Sequence, residues 1–173
     1  TLKGAHNYQN MACVYAVTSE LRIEEYKVQS AFASFKGLNH RQYKVGKKDS
    51  VTFINDSKAT NAEAAARALA SYENIYWIVG GHATDGGLNG LEIFKDKIKK
   101  TYLIGEASDE FSVWLKKNQF EFKKCEVLDK AVEEAYIDTK QDGHEAVVLL
   151  SPACASWDQF GSFEKRGDAF SEI

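Results

Sequence analysis

Short apolar runs alternate with amphipathic segments along most of this 173-residue chain. Clear runs are Ile75-Tyr76-Trp77-Ile78-Val79, Tyr102-Leu103-Ile104 and Val147-Val148-Leu149-Leu150, and helix-like segments separate them. A strand that is apolar on both faces has to be covered on both faces, which is typical of a parallel sheet flanked by helices. The pattern therefore predicts a doubly wound α/β domain from about His40 onward. It also predicts a turn over residues 46–50 and a short helix near Leu91 to Lys99, before the strand that begins at Tyr102.

The first 38 residues have a different pattern. Apolar residues recur at helical spacing from Asn7 to about Leu21 and again from about Ile23 to Phe35, with no strand of their own. Two helices are predicted here, and they look like part of a preceding domain. The only methionine is Met11, so we expect the chain to be a piece of a longer protein.

Composition and charge exclude several classes of protein. The 22 basic and 25 acidic residues give a net charge of −3, without the basic clusters that phosphate backbones require, so no nucleic-acid partner is expected. Apolar runs end well before the ~18–20 residues that cross a bilayer, and no signal peptide is visible, which favours a cytoplasmic protein with no membrane partner. Three widely separated cysteines predict no disulfide framework, and the histidines lack metal-ligand spacing.

Three polar loops follow predicted strands, and ligands of open parallel sheets bind beyond the carboxyl ends of strands. The first combines the carboxylate of Asp56, which could accept the vicinal hydroxyls of a ribose, with the ammonium of Lys58, which suits a phosphate or a carboxylate. The other two are a glycine-rich loop and a loop of small residues. The three loops span residues 55–61, 80–87 and 151–159.

Each loop also has a purely structural interpretation. Thr60 with Glu63 and Ser156 with Gln159 match the capping box, in which a hydroxyl caps the first turn of a helix. The glycine-rich loop lacks the Lys-Ser/Thr of a P-loop, and no G-x-G-x-x-G motif occurs. The residues alone leave both interpretations open.

Five motifs occur in a fixed order, and together they change this conclusion. They are Gly4-x-His6-Asn7-x-x-Asn10, His40-Arg41, Asn55-Asp56-Ser57-Lys58-Ala59-Thr60-Asn61, Ser151-Pro152-Ala153-Cys154-Ala155-Ser156-x-Asp158-Gln159-Phe160 and Phe163-Glu164-x-Arg166-Gly167. The set closely resembles the carboxy-terminal part of the D-glutamate-adding Mur ligases of bacterial peptidoglycan synthesis. The resemblance covers essentially the whole chain.

This resemblance implies an ATP-dependent acid–amino-acid ligase of cell-wall biogenesis. In the family, ATP phosphorylates the carboxylate of UDP-N-acetylmuramoyl-L-alanine, and the amine of D-glutamate attacks the acyl phosphate. Residues 1–38 would be the last helices of the central ATP-binding domain, and residues 39–173 the Rossmann-like domain that binds the amino acid. The P-loop and the Mg²⁺ ligands lie upstream in the family, so this chain would need those domains as partners and is expected to be inactive alone, without a metal site.

The resemblance also implies nucleotide-binding and catalytic residues. Asn7 and Asn10 match asparagines of the nucleotide pocket, with Asn10 facing the adenine. Arg41 matches the arginine on the terminal phosphate, and Asp56 matches the acid on the ribose hydroxyls. Catalytic roles are implied for Lys58, Arg41 and His40.

For D-glutamate, the implied binding residues are Thr60, Thr84, Ser156 and the backbone N–H of Phe163. Thr84 departs from the family, which carries at this position a lysine that contacts the α-carboxylate of D-glutamate. Either another cation compensates, such as His82, or D-glutamate binds more weakly. Two alternatives to this function remain: a sister Mur ligase that adds another amino acid, and a stand-alone nucleotide- or amino-acid-binding domain without catalysis.

Overall fold

The computed structural model describes residues 4–173, without the side chains of residues 5 and 6, so the motif residue His6 lies outside the described side chains. The chain divides into two compact units between Leu38 and Asn39. The first unit contains helices α1 (Ala5–Glu20) and α2 (Glu25–Ser34), close to the two predicted helices. Their assignment to an ATP-binding domain stays a prediction.

The second unit is a six-stranded sheet with helices, which confirms the predicted α/β fold class. Strands run in the order β1-β2-β6-β3-β4-β5, and every neighbouring pair is parallel except the β1–β2 hairpin. The elements are β1 (Tyr43–Lys48), β2 (Val51–Asn55), α3 (Ala62–Ser71), β3 (Ile75–Gly80), β4 (Ile98–Ile104), α4 (Ser108–Lys117), β5 (Phe122–Glu126), α5 (Leu128–Asp142), β6 (Ala146–Leu150) and α6 (Phe163–Glu172).

The alternation of side chains along β3 shows why the sheet is covered on both faces. Ile75, Trp77 and Val79 are buried in one apolar cluster, with residues of α3 and α4. Tyr76 and Ile78 are buried in the opposite cluster, with residues of α5 and α6. Because every residue of β3 is buried, the strand reads as a continuous apolar run, as the sequence indicated.

Two predicted boundaries are wrong. The turn expected over residues 46–50 is shorter, because β1 continues through Lys48 and the chain reverses at Asp49 and Ser50. The helix expected near residues 91–99 is a 3₁₀ helix over Glu92–Lys97, and β4 begins at Ile98 instead of Tyr102.

The position of β6 determines where the loops meet. β2 and β3 are consecutive strands, but β6 lies between them and pairs with both. This is a topological switch point, where ligands of doubly wound sheets usually bind. The loops after β2, β6 and β3 therefore leave the same edge of the sheet from three neighbouring strands.

Nowhere between residues 4 and 173 does a helix combine the length and the apolar character needed to cross a bilayer.

Candidate functional site

Direct hydrogen bonds join the three predicted loops at this edge. The backbone N–H of Gly80 donates to the carbonyl of Pro152 at 2.9 Å, and His82 and Ala155 exchange two backbone hydrogen bonds of 3.0 Å. The hydroxyl of Thr84 donates weakly to the carbonyl of Thr60, at 3.4 Å. Thr60, Thr84 and the segment before Ser156 therefore belong to one cluster of loops.

Gly81 permits the closest of these approaches. Its φ of +133° lies in a region that favours glycine, and a Cβ at this position would collide with the carbonyl oxygen of Ala155. It would also lie 3.1 Å from the guanidinium of Arg166. The backbone of the glycine-rich loop thus packs against the loop after β6. This packing explains the glycine at position 81 without a P-loop.

Arg166 is the buried centre of the cluster. Only 1% of this residue is exposed, and its guanidinium donates to the Ser57 hydroxyl at 3.0 Å and to the Ser57 carbonyl at 2.9 Å. It also donates to the carbonyls of Cys154 and Ala155, at 3.0 and 3.2 Å. Burial lowers the pKa of Arg166 to about 10, although the residue remains charged at neutral pH. Arg166 therefore ties the loops after β2 and β6 to helix α6, a role that our sequence analysis missed.

His40 lies against the same helix. Its ring is next to Gly167, where a Cβ would collide with Nδ1, so the ring fits only because residue 167 has no side chain. The ring approaches the amide of Asn55 at 3.3 Å and the carboxylate of Asp168 at 3.4 Å. The Asn55 amide also donates to the Gly167 carbonyl at 2.7 Å. His40 and Asn55 consequently anchor α6 to the end of β2.

Asp56 is a buried carboxylate, with 4% of the residue exposed. One oxygen accepts a hydrogen bond from the backbone N–H of Gln42 at 3.0 Å, and the other from the Ser151 hydroxyl at 2.9 Å. Burial raises the pKa of Asp56 to about 7, although both hydrogen bonds and the charge of Arg41 act in the opposite direction. Each oxygen retains a lone pair beyond these bonds.

Lys58 and Arg41, two basic residues to which the sequence resemblance gives catalytic roles, are exposed. The ammonium of Lys58 lies 5.5 Å from the ring centroid of Phe163, and its backbone N–H donates to the carbonyl of His40 at 3.0 Å. Arg41 is close enough to Asp56 to affect its carboxyl electrostatically. Both side chains can therefore reach a ligand outside the protein surface.

Ser156 and Phe163 lie on the loop that enters α6. Ser156 is 2% exposed, and its hydroxyl makes no hydrogen bond within the described part of the chain. Phe163 is the first residue of α6, where backbone N–H groups have no partner inside the helix and favour a negative charge. A hydroxyl and a helix N-terminus in this loop are suited to binding a carboxylate.

Both capping-box interpretations are wrong. Asn61 caps α3, because its side-chain oxygen accepts from the backbone N–H of Ala64 at 2.8 Å. No helix begins at Ser156, whose carbonyl instead accepts turn hydrogen bonds from Gln159 and Phe160. The hydroxyls of Thr60 and Ser156 are therefore not used as helix caps.

Asn7 and Asn10 lie on α1, in the first unit. Asn10 is exposed and Asn7 is partly buried. The predicted contact of these asparagines with a nucleotide remains a prediction.

No group of three or more His, Cys, Asp or Glu residues in the described chain could hold a metal ion. A surface cavity of about 290 Å³ opens at the other edge of the sheet, beside Asn74, Tyr76 and His144. Because it lies at the amino ends of the strands, it is separate from the loop cluster.

Curated relatives match nearly the whole chain. A UDP-N-acetylmuramoylalanine–D-glutamate ligase from Caulobacter vibrioides is 48% identical over 170 residues, which are 98% of this chain and 36% of that protein. Ligases of the same name from Paramagnetospirillum magneticum and Rhodospirillum rubrum are 47% and 49% identical over 174 residues, and the match covers 38% and 36% of their lengths. The chain thus spans little more than a third of these relatives.

No family model matches the chain. Among solved structures, the UDP-N-acetylmuramate–alanine ligase MurC from Thermotoga maritima matches with a TM-score of 0.69 and 17% identity, over 99% of this chain and 38% of that one. This likeness supports the fold. The sequence relatives confirm the resemblance carried by the five motifs, and the chain is a homologue of the carboxy-terminal portion of the UDP-N-acetylmuramoylalanine–D-glutamate ligases.

Proposed function

We propose that this chain is the D-glutamate-binding part of an ATP-dependent ligase that adds D-glutamate to UDP-N-acetylmuramoyl-L-alanine in peptidoglycan biosynthesis. The observation that carries the proposal is the meeting of three loops at the switch point of the sheet, with the hydroxyl of Ser156 left without a partner in the described chain. The relatives of 47–49% identity bear the name of this activity.

D-glutamate would bind across the loop cluster. Its side-chain carboxylate would accept hydrogen bonds from the Ser156 hydroxyl and from the Phe163 N–H, where the N-terminus of α6 adds favourable electrostatics. Thr60 and Thr84, on the two loops joined at 3.4 Å, would contact the part of the ligand that carries the amine. This placement leaves the amine free to attack an activated carboxylate.

The nucleotide would lie beside the loop after β2. Arg41 would contact the terminal phosphate, and Asp56 would share its remaining lone pairs with ribose hydroxyls. Lys58, whose backbone N–H donates to the carbonyl of His40, would lie between the nucleotide and D-glutamate. Asn7 and Asn10, in the first unit, would contact a nucleotide, with Asn10 at its adenine.

ATP and Mg²⁺ would supply the phosphoryl transfer that turns the carboxylate of UDP-N-acetylmuramoyl-L-alanine into an acyl phosphate. Asp56, Arg41 and Lys58 fit part of a nucleotide, but the described residues offer no metal cluster, so we place the Mg²⁺ ligands in upstream domains. The amine of D-glutamate would then form the amide bond and release phosphate. The precursor would be a nucleotide-linked sugar, and we propose that the reaction takes place in the cytoplasm.

Titration of the ¹⁵N-labelled chain with D-glutamate tests the proposal. We expect shifts of the Ser156 and Phe163 amide signals with D-glutamate, and much smaller ones with L-lysine or diaminopimelate. Ser156→Ala should weaken D-glutamate binding about ten- to a hundredfold, because a hydrogen bond to a charged group contributes roughly 1.5–3 kcal/mol.

Stronger binding of L-lysine or diaminopimelate would instead favour a sister ligase. A full-length protein that binds D-glutamate without consuming ATP would indicate a binding domain. If Ser156→Ala bound D-glutamate as well as the unmodified chain, the assignment of Ser156 would be rejected.

A further inference from the structure

His82 occupies a defined position in the loop cluster that the proposed function leaves unused. Its backbone is fixed by the two hydrogen bonds with Ala155, the residue before Ser156. Its Nδ1 lies 2.9 Å from a carboxylate oxygen of Glu106, on the loop after β4, and the ring of Trp157 lies 6.3 Å away between centroids. The imidazole is 52% exposed, so a ligand can reach it.

The charge of a dicarboxylic ligand makes this position important. D-glutamate carries two carboxylates, which require donors or cations at two separate points. In the loops after β2, β3, β4 and β6, which span residues 55–61, 81–91, 105–107 and 151–162, the basic side chains are Lys58 and His82. Lys58 lies over the ring of Phe163, at the N-terminus of α6.

Arg166 does not serve the second carboxylate. Its guanidinium is buried and directs donors to four protein oxygens, on Ser57, Cys154 and Ala155. Away from α6, the basic group that the loops present is therefore His82.

We propose that His82, held by Glu106, binds the α-carboxylate of the incoming amino acid. This inference rests on the proposed function and adds a specificity residue to it. A doubly protonated imidazole has two N–H donors, so Nδ1 can donate to Glu106 while Nε2 donates to the ligand. The backbone bridge to Ala155 holds the main chains of His82 and Ser156 close together, which favours a ligand that carries two carboxylates.

Binding of D-glutamate to four forms of the chain tests the assignment: the unmodified chain, His82→Ala, His82→Lys and His144→Ala. Affinity is measured from the amide shifts of Ser156 and Phe163. We expect His82→Ala to raise the Kd for D-glutamate about five- to twentyfold, since the lost bond is charge-assisted but partly exposed to solvent. His82→Lys, which keeps a cation, should remain within about threefold of the unmodified chain.

Two controls isolate the α-carboxylate. His144→Ala removes an imidazole at the opposite edge of the sheet and should change nothing. The ligand 4-aminobutyrate retains the amine and the distal carboxylate of glutamate but lacks the α-carboxylate, so its affinity should be the same for the unmodified chain and for His82→Ala.

The outcomes separate the two proposals. If the unmodified chain gives no shifts with D-glutamate, the proposed function fails and this inference fails with it. If D-glutamate binds and His82→Ala binds it equally well, or loses equal affinity for D-glutamate and 4-aminobutyrate, the assignment of His82 alone is overturned.

Discussion

Replacement of Arg166 by methionine is expected to destabilise the second unit strongly. Methionine fills part of the same volume and removes both the charge and all of the donors. The variant therefore tests whether the loop cluster is held together by the guanidinium or by apolar packing around it.

The size of the effect follows from the groups left behind. The buried carbonyls of Ser57 and Cys154 lose their donor, and each unsatisfied buried acceptor costs about 1–3 kcal/mol. The Ala155 carbonyl keeps its hydrogen bond from His82 and the Ser57 hydroxyl keeps its bond to Phe163, so each of these groups loses only a charge-assisted hydrogen bond, worth roughly 1.5–3 kcal/mol. Against this, the variant no longer buries a charge, whose cost is about 3 kcal/mol from the lowering of the Arg166 pKa to about 10. We expect a net loss of about 3–5 kcal/mol from these opposing contributions.

Urea unfolding monitored by tryptophan fluorescence measures this loss in the second unit alone, because Trp77, Trp114 and Trp157 all lie there. Arg67→Met is the matched control: Arg67 is exposed on α3 and pairs only with Glu63, so its loss should cost at most about 0.5 kcal/mol. Should Arg166→Met not fold, Arg166→Lys, which keeps the charge but not the planar fork, should show an intermediate loss. An Arg166 variant that unfolds within 1 kcal/mol of its Arg67 counterpart would refute the reasoning.

Two further predictions concern the loop after β2. The pKa of Asp56 in the folded state, about 7, lies above its ordinary value of 3.8, so protonation of Asp56 stabilises the folded state. The free energy of unfolding should therefore fall as the pH rises from about 4 to about 7. Asp56→Asn should remove this pH-dependent contribution, which amounts to about 4 kcal/mol. Urea unfolding of the variant and of the unmodified chain at pH 4.5 and pH 8 tests this. The same pH dependence in both proteins would contradict it. Asn61→Ala should cost about 1 kcal/mol through loss of the α3 cap, and Thr60→Ala much less. Equal losses of unfolding free energy in these two variants would show that Asn61 is not the cap of α3.

The sequence predicted most of the fold because burial on both faces leaves a local signature. The strands β3 and β6 are apolar along nearly their whole length, and both were located within one residue. The start of β4 was missed because Lys99 and Lys100 interrupt its apolar pattern. In the structure, Lys100 is paired at 2.7 Å with Asp138 of α5, a partner 38 positions away that no local pattern shows.

The loops of the candidate site were predictable as strand ends, but their meeting was not. Nothing in the residues themselves indicates that the last strand, β6, enters the sheet between the first two parallel strands. The capping patterns at Thr60 and Ser156 misled for a related reason. Asn61 is as good a cap as Thr60, and Ser156 lies in a turn, so only the three-dimensional path of the chain decides between them.

Arg166 shows which sequence signal could have identified the centre of the cluster. It precedes Phe170 by four residues on α6, and residues four apart share one face of a helix. Phe170 is buried, so an arginine on that face has to find hydrogen-bond acceptors inside the protein. Most carbonyls inside helices and sheets already accept hydrogen bonds, whereas many loop carbonyls do not, so loop backbone is a ready source of acceptors for a charged residue on the apolar face of a helix. In the structure these acceptors are the carbonyls of Ser57, Cys154 and Ala155, on the loops that carry Thr60 and Ser156.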